Sequence, residues 1–125
     1  MVTTFTQSSA AVSWEKTHVD AARTKALESN KPLLVDFTAA WCGACKELDR
    51  KTFSAPAVGS ELSRFVAVKV DATNDDDPAV EATLQKFKVV GLPTVLIFDS
   101  SGKEAVRYRD FVPPEQFLEG IRAIR

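Results

Sequence analysis

Side chains that bind metal ions are scarce in this sequence, and so is net charge. The 125 residues include 2 cysteines and 1 histidine, too few to close the tetrahedral ligand set of a structural zinc site without a second chain. The formal net charge is -1 and both signs are mixed along the chain, which argues against a nucleic-acid partner or a membrane surface. We therefore expect neither a metal nor another bound cofactor.

Long apolar runs are absent as well. No stretch approaches the roughly 20 apolar residues of a membrane-spanning helix, and residues 1–5 lack the basic region and apolar core of an export signal. The sequence predicts a soluble unit without direct membrane insertion. If the protein works outside the cytoplasm, we expect the sequence to be an excised domain or to lack its native leader.

Length and composition indicate a single domain. A chain of 125 residues that is 45% hydrophobic and 26% charged can bury a full core without covalent staples. We predict one domain over residues 1–125, in which residues 1–30 form an N-terminal extension with the first helix and residues 31–125 form the core. We expect a monomer.

The two cysteines stand three positions apart in Trp41-Cys42-Gly43-Ala44-Cys45, after an apolar run and before a helical pattern. Such a pair is typical of a redox centre, because free backbone N–H groups and the helix dipole favour the thiolate of the first cysteine. The second cysteine, one turn later, can close a disulfide with the first. A disulfide that closes so short a loop stabilises a fold little, so a purely structural bridge is the weaker interpretation.

Hydrophobic periodicity predicts alternating helices and strands. The predicted helices cover residues 13–29, 46–53, 58–62, 79–87 and the C-terminus from Pro114, and the predicted strands cover residues 32–38, 65–70, 94–98 and 104–108. Trp14 is expected in the core under the first helix. This order describes an α/β fold with a central mixed sheet and helices on both faces.

Two further segments complete a pattern that resembles the thioredoxin superfamily. Val35-Asp36-Phe37 precedes the cysteine pair, and Val90-Gly91-Leu92-Pro93-Thr94 leads into a strand. The resemblance covers roughly residues 31–125. It implies the thioredoxin fold, a central mixed β-sheet flanked by helices on both faces, here with an N-terminal helical extension.

Within that superfamily the sequence is more similar to the C-terminal periplasmic domains of DsbD-type membrane electron transporters. The similarity rests on Phe5-Thr6-Gln7 and on residues 40–47, 52–58 and 70–75. It implies a periplasmic location, a membrane-embedded electron donor domain, periplasmic thioredoxin-like acceptors and a link to cytochrome c biogenesis. The dipeptide Gly43-Ala44 matches neither the Gly-Pro of thioredoxin nor the Val-Ala of the best-known DsbD domain, so it does not fix the subfamily.

The resemblance also implies roles for the cysteines and their neighbours. Cys42 is expected to be the exposed nucleophile, and Cys45 the more buried thiol that resolves a mixed disulfide. Trp41 is expected to shield the pair at the surface, and Gly43 and Ala44 belong to the partner-binding surface around it.

Leu92 and Pro93 are expected to complete that surface. Pro93 matches the family's cis-proline, and an ordinary trans turn proline is the alternative. The backbone of Leu92 is expected to pair with an extended segment of the partner protein.

Acidic residues near the pair are candidates for proton transfer. Asp36 interrupts an apolar strand, where burial should raise its affinity for a proton, so it could shuttle a proton for Cys45; an exposed edge position is the alternative. Asp49 resembles a second acid of the DsbD domains, which have Glu there, although it could also be a surface neighbour of Cys45. Two such carboxylates would disfavour a thiolate and keep the pair reducing. The nearest basic residue, Lys46, is expected to point outward.

The leading interpretation is a thiol:disulfide oxidoreductase that relays electrons through Cys42 and Cys45, as a reductase of partner protein disulfides. One alternative is a general cytosolic thioredoxin, which would place the protein in the cytoplasm. Another is a redox-inert peptide-binding module whose cysteines stay bridged. His18 is assigned no role.

Overall fold

A five-stranded mixed sheet forms the centre of the protein, in a computed structural model that describes residues 11–125. In chain order the elements are β1 (Trp14–Glu15), α1 (Val19–Glu28), β2 (Leu33–Thr38), α2 (Gly43–Glu47), a π-helical segment (Leu48–Thr52), α3 (Pro56–Leu62), β3 (Val66–Asp71), α4 (Pro78–Lys86), β4 (Thr94–Phe98), β5 (Glu104–Tyr108) and α5 (Pro114–Arg122). Residues 1–10 of the predicted extension, with Phe5-Thr6-Gln7, lie outside the described residues. In the part described, no helix is long and apolar enough to span a membrane.

The strands lie in the order β1-β3-β2-β4-β5. β1 and β2 run parallel to β3 on either side of it, whereas β4 is antiparallel to both β2 and β5. β2 is therefore the central strand, and Leu33 through Phe37 are buried. This confirms the expectation that a run apolar on both faces lies inside the sheet.

Two apolar cores lie on opposite faces of the sheet, because side chains alternate between the faces of a strand. On one face, Leu34 of β2 packs with Leu48, Phe117 and other residues of the π-helical segment, α3 and α5. On the other face, Val35 packs with residues of α1 and the end of α4, including Val19. The predicted α/β architecture, with helices on both faces, is confirmed.

The start of the chain differs from the prediction of one helix over residues 13–29. Trp14 pairs with Ala67 in β1, and α1 begins only at Val19. His18 caps this helix, and its Nδ1 accepts the backbone N–H of Asp20 at 3.1 Å. Trp14 therefore lies not under α1 but in the opposite core, because strand pairing directs its ring towards the face that carries Ala67.

The helix after the cysteines changes its winding. The Phe53 N–H donates to the Leu48 carbonyl at 2.8 Å, five residues back, which is π-helical geometry. Within this wide turn Thr52 is fully buried, and its Oγ1 donates to the Val112 carbonyl at 2.5 Å. This contact ties the helix of the cysteines to the loop that precedes α5.

Replacing Thr52 by Val should lower the free energy of unfolding by about 1–3 kcal/mol, because it keeps the shape but leaves a buried carbonyl unpaired. The measurement is the urea concentration at the midpoint of unfolding. Thr83→Val is the matched control, since the Thr83 hydroxyl bonds only within α4, to the Ala79 carbonyl at 3.1 Å, and this variant should stay within about 0.5 kcal/mol of the parent. Equal midpoints for the two variants would contradict the assignment.

Candidate active site

Cys42 and Cys45 form a disulfide at the start of α2, with Cα atoms 5.2 Å apart. Cys42 is the N-cap residue of this helix, and the Cys45 N–H donates to the Cys42 sulfur at 3.1 Å. The preceding loop turns sharply, because the Cys42 N–H bonds the Ala39 carbonyl at 3.1 Å. The first sulfur thus lies where backbone N–H groups stabilise a thiolate once the bond is reduced.

The disulfide is less accessible than the sequence suggested. Cys42 was expected to be exposed, but Cys42 and Cys45 are only 6% and 3% exposed. The bonded sulfurs cover each other, and Ala39, Ala44 and Leu92 pack against the pair. The sequence neighbours of Cys42, Trp41 and Gly43, are both exposed, so the disulfide is nearest to solvent on the Cys42 side.

The dipeptide between the cysteines leaves space for such an approach. Gly43 is exposed, and a Cβ atom added to it would meet no heavy atom within 4 Å. Ala44 is partly exposed, and Lys46 points into solvent as expected. A partner backbone could pass over Gly43 without displacing any side chain.

Two exposed apolar side chains, Trp41 and Val90, border the same hollow as Leu92, which packs against the disulfide. Trp41 is 59% exposed, and its Nε1 donates to the Thr73 carbonyl at 2.9 Å, which fixes the indole above the cysteine loop. Val90 is 89% exposed, and the sequence analysis gave it no role. Trp41 and residues 89–92 border one hollow of about 240 Å³. The sequence did not mark Val90 as exposed, because it stands in the apolar run Val89-Val90-Gly91-Leu92.

The Leu92-Pro93 peptide bond is cis, as the resemblance implied. Leu92 packs against the cysteines, so this loop and the disulfide meet at one surface. The meeting follows from the sheet, because β2 and β4 are antiparallel with Phe37 opposite Thr94. The end of β2, which leads to Cys42, therefore lies beside the start of β4, which follows Pro93.

Asp36 is buried, with 2% of its surface exposed. It lies on the same face of β2 as Leu34, which packs against the helix of the cysteines. The carboxylate therefore faces the inner side of the helix that carries Cys45. Burial raises the pKa of Asp36, although the charge and hydrogen bond of Lys69 oppose this effect.

Lys69 is the principal site residue that the sequence analysis missed. Its Nζ donates to Asp36 Oδ2 at 2.9 Å and to Asp49 Oδ1 at 2.8 Å. The sequence analysis considered the two carboxylates without Lys69, whereas in the structure this one ammonium bridges both. A signal was present, since Lys69 interrupts the apolar strand of residues 65–70 as Asp36 interrupts its own, and the two pair in register.

Asp49 lies in the π-helical segment, and its side chain is 47% exposed. Asp49 is therefore half-exposed, and its carboxylate is held by the ion pair with Lys69. Among residues 11–125, no group of three or more His, Cys, Asp or Glu side chains could hold a metal ion.

Comparison with known proteins places this geometry in a family. A family model described as a thioredoxin-like domain matches residues 19–125. The thiol:disulfide interchange protein DsbD of Pectobacterium atrosepticum is 42% identical over 92 residues, which are 72% of this chain and 16% of that protein. DsbD of Vibrio vulnificus is 39% identical over 101 residues, 79% of this chain and 17% of that protein. The chain thus spans about a sixth of the length of these relatives.

Solved structures extend the similarity to three dimensions. The C-terminal domain of DsbD from Neisseria meningitidis, in its oxidised form, aligns with a TM-score of 0.73 at 29% identity and covers 92% of this chain and 100% of that one. A thioredoxin from Thermus thermophilus reaches 0.73 at 22% identity, over 90% of this chain and 85% of that one, and shows the fold alone. Because the family match begins at the first residue of α1 and continues to the C-terminus, this chain belongs to the thioredoxin-like domain family.

Proposed function

We propose that the protein is a thiol:disulfide oxidoreductase that relays electrons through Cys42 and Cys45 and reduces the disulfides of partner proteins. The observation that carries the proposal is the Cys42–Cys45 disulfide at the start of α2, beside the Leu92-Pro93 loop. The similarity to DsbD supports the same class of reaction.

The reaction begins from the reduced pair. The Cys42 thiolate attacks one sulfur of the partner's disulfide, forms a mixed disulfide and releases the other partner sulfur as a thiolate, which takes up a proton. The Cys45 thiol then loses its proton, and its thiolate attacks the Cys42 sulfur and releases the second partner sulfur as a thiolate, which takes up a proton in turn. Two electrons pass to the partner, and the Cys42–Cys45 disulfide forms. Because both cysteines lie in one turn, the second step is effectively unimolecular.

Asp36 is proposed to take the proton that Cys45 loses. Its carboxylate is buried on the face of β2 that packs against the helix of Cys45. Burial raises the pKa of Asp36, although Lys69 opposes this effect, and a raised pKa strengthens a carboxylate as a proton acceptor. Asp49 is proposed to support this role from the surface.

The apolar rim is proposed to hold the partner's polypeptide. The rim consists of Trp41, Val90 and Leu92, which border one hollow, and Leu92 also packs against the cysteines. Apolar contact with the rim is proposed to bring the partner's sulfur into line for attack. The backbone of Leu92 is proposed to pair with an extended partner segment, while exposed Gly43 and partly exposed Ala44 leave room for it to pass.

The cellular role is proposed from the DsbD relatives. It comprises a periplasmic location, electrons from a membrane-embedded donor domain, and thioredoxin-like acceptors that serve processes such as cytochrome c biogenesis. The support is the 42% identity to a protein of which this chain spans 16%, together with a structural match that covers the whole of a DsbD C-terminal domain.

Replacing Cys45 by Ser should trap the protein in mixed disulfides, because Cys42 can still attack a partner but nothing resolves the product. With insulin as the partner, non-reducing gels should show a covalent adduct that dithiothreitol removes. Cys42→Ser is the matched control and should trap little. An adduct with Cys42→Ser instead would reverse the two roles, and no adduct with either variant would favour the redox-inert binding module.

Replacing Val90 by Asp should slow the reduction of insulin several-fold, because it places a charge in the apolar rim. Reduction of the small neutral disulfide of 2-mercaptoethanol should stay unchanged, since that substrate does not need the rim. Leu27→Asp is the matched control, because Leu27 is also exposed, at 52%, but lies beside Gly102, beyond the far end of β4 from Pro93. Equal losses with both variants would argue against a docking role for Val90.

Replacing Asp36 by Asn should lower the apparent pKa of the thiol pair, because it removes a negative charge that raises the energy of a nearby thiolate. The measurement is the pH dependence of alkylation of the reduced protein. Carboxylate and thiols titrate as a coupled set, so the shift belongs to the group as a whole. A profile that superimposes on that of the parent would exclude Asp36 as the proton carrier.

A further inference from the structure

The loop of residues 89–92 begins in a backbone turn that is unfavourable for the residue it contains. Lys88, just after α4, has φ 56°, in the left-handed region that glycine and asparagine enter more readily than lysine does. The Val89 N–H donates to the Leu84 carbonyl at 2.8 Å, and the Lys88 N–H donates to the Gln85 carbonyl at 3.1 Å. This is the Schellman pattern of helix ends, in which glycine is the usual residue at the position of Lys88.

The end of α1 has the same kind of turn and serves as an internal comparison. Asn30 also has φ 56°, and the Lys31 N–H donates to the Ala26 carbonyl at 2.9 Å. Asparagine is a common residue in this conformation. The end of α1 therefore carries a residue that suits the turn, whereas the end of α4 carries one that needs support from another contact.

Arg107 of β5 supplies that contact. Its Nη2 donates to the Phe87 carbonyl at 3.0 Å, and its Nη1 donates to the Lys88 carbonyl at 3.2 Å. Glu104 orients the guanidinium, because its two carboxylate oxygens accept Nε and Nη2 at 2.9 Å each. The Arg107 side chain is 17% exposed, and hydrogen bonds from a charged donor are stronger than those between neutral groups. Arg107 thus stabilises both carbonyls in the orientation that the turn gives them.

The position of α4 depends on this end of the helix. No residue of Pro78–Lys86 is buried. Phe87, which directly follows the helix, is buried and packs on the rings of Phe37 and Phe98. The helix is therefore attached to the sheet chiefly at its C-terminal end, where Arg107 also binds.

The position of Val90 depends on the backbone at each side of it. Val89 packs against the core on this face of the sheet, but Val90 is almost fully exposed, so little packing restrains its side chain. On the far side, Thr94 Oγ1 donates to the Gly91 carbonyl at 2.7 Å. On the near side, the turn at Lys88 sets the direction in which the chain enters the loop.

We propose that Arg107 is a positioning residue for the docking of partner proteins. Its bonds to the carbonyls of Phe87 and Lys88 hold the left-handed turn, and this turn holds Val90 at the rim of the site. The inference rests on the proposed function, in which the rim binds the partner's polypeptide. Arg107 acts through the backbone and does not itself touch the partner.

The first measurement is amide hydrogen exchange of the oxidised protein. Arg107→Met keeps the apolar stem but removes the donors, so the Val89 N–H should exchange about tenfold faster. The Lys31 N–H, which makes the same bond at the end of α1, should keep its rate. Because this readout does not require disulfide exchange, it tests the turn separately from the proposed function.

The second measurement is the steady-state reduction of insulin. Arg107→Met should raise the KM for insulin several-fold and leave kcat near that of the parent, because docking is impaired and the chemistry is not. Reduction of the disulfide of 2-mercaptoethanol should not change. If the parent reduces neither substrate, the proposed function is wrong, and the exchange of Val89 still decides whether Arg107 holds the turn.

Arg107→Lys separates the hydrogen-bonding geometry from the charge. An ammonium keeps the charge but lacks the planar fork that reaches Glu104 and two carbonyls together, so this variant should behave like Arg107→Met. Parental behaviour would assign the effect to charge and overturn the proposal.

Arg64→Met is the matched control. Arg64 also pairs with a glutamate three residues earlier, Glu61 at 2.7 Å, and donates to a carbonyl near a helix end, that of Ile121 at 2.8 Å. This contact belongs to the opposite face of the sheet. The variant should leave the exchange of Val89 and the KM for insulin unchanged, and equal effects of Arg64→Met and Arg107→Met would contradict the assignment.

A double variant tests whether the turn is the link. Lys88→Asn, added to Arg107→Met, should slow the exchange of Val89 again and lower the KM for insulin, because asparagine suits the turn without the arginine. The proposal is overturned by unchanged exchange in Arg107→Met, by faster exchange with an unchanged KM, or by a double variant that recovers neither property.

Discussion

The ion pair of Asp36 with Lys69 is the constraint on which the site depends. An ionised carboxylate in the centre of a sheet is costly unless a partner stabilises it, and the register of β2 on β3 supplies that partner at 2.9 Å. Because both residues lie in strands that are otherwise apolar, the pair can form only if the two strands align without a shift of one residue. The core and the site are thereby fixed by the same alignment.

The sheet also brings together the parts that act on a partner. β2 ends where the antiparallel β4 begins, so the loops that carry Cys42 and Pro93 meet at one edge. Leu92 covers the disulfide from that side, while Trp41 and Val90 remain exposed around the hollow that Leu92 also borders. A buried bond with an exposed apolar rim suits slow reaction with small molecules and faster reaction with a protein that covers the rim, since apolar burial then favours the complex.

Much of this could be predicted from the residues, because local patterns carried it. Sequence spacing predicts that Cys42 and Cys45 stand at a helix start and that Asp36 lies in an apolar strand. The structure has both elements, as α2 and β2. The prediction failed at Trp14, whose helical spacing lost to pairing with Ala67, and at residues 48–52, where no local signal marks the π-helical turn. In both places contacts with distant residues outweigh local preference.

The sequence by itself determined the kind of chemistry, because the cysteine spacing and the scarcity of metal-binding side chains leave a dithiol as the reactive group. It also determined which strand is central, because apolar residues on both faces require cover on both faces. Only the tertiary structure decided which positive charge pairs with the two acids. Lys69 lies 33 positions from Asp36 and 20 positions from Asp49 along the chain. The two ion pairs therefore depend on strand register and helix winding, which no single segment encodes.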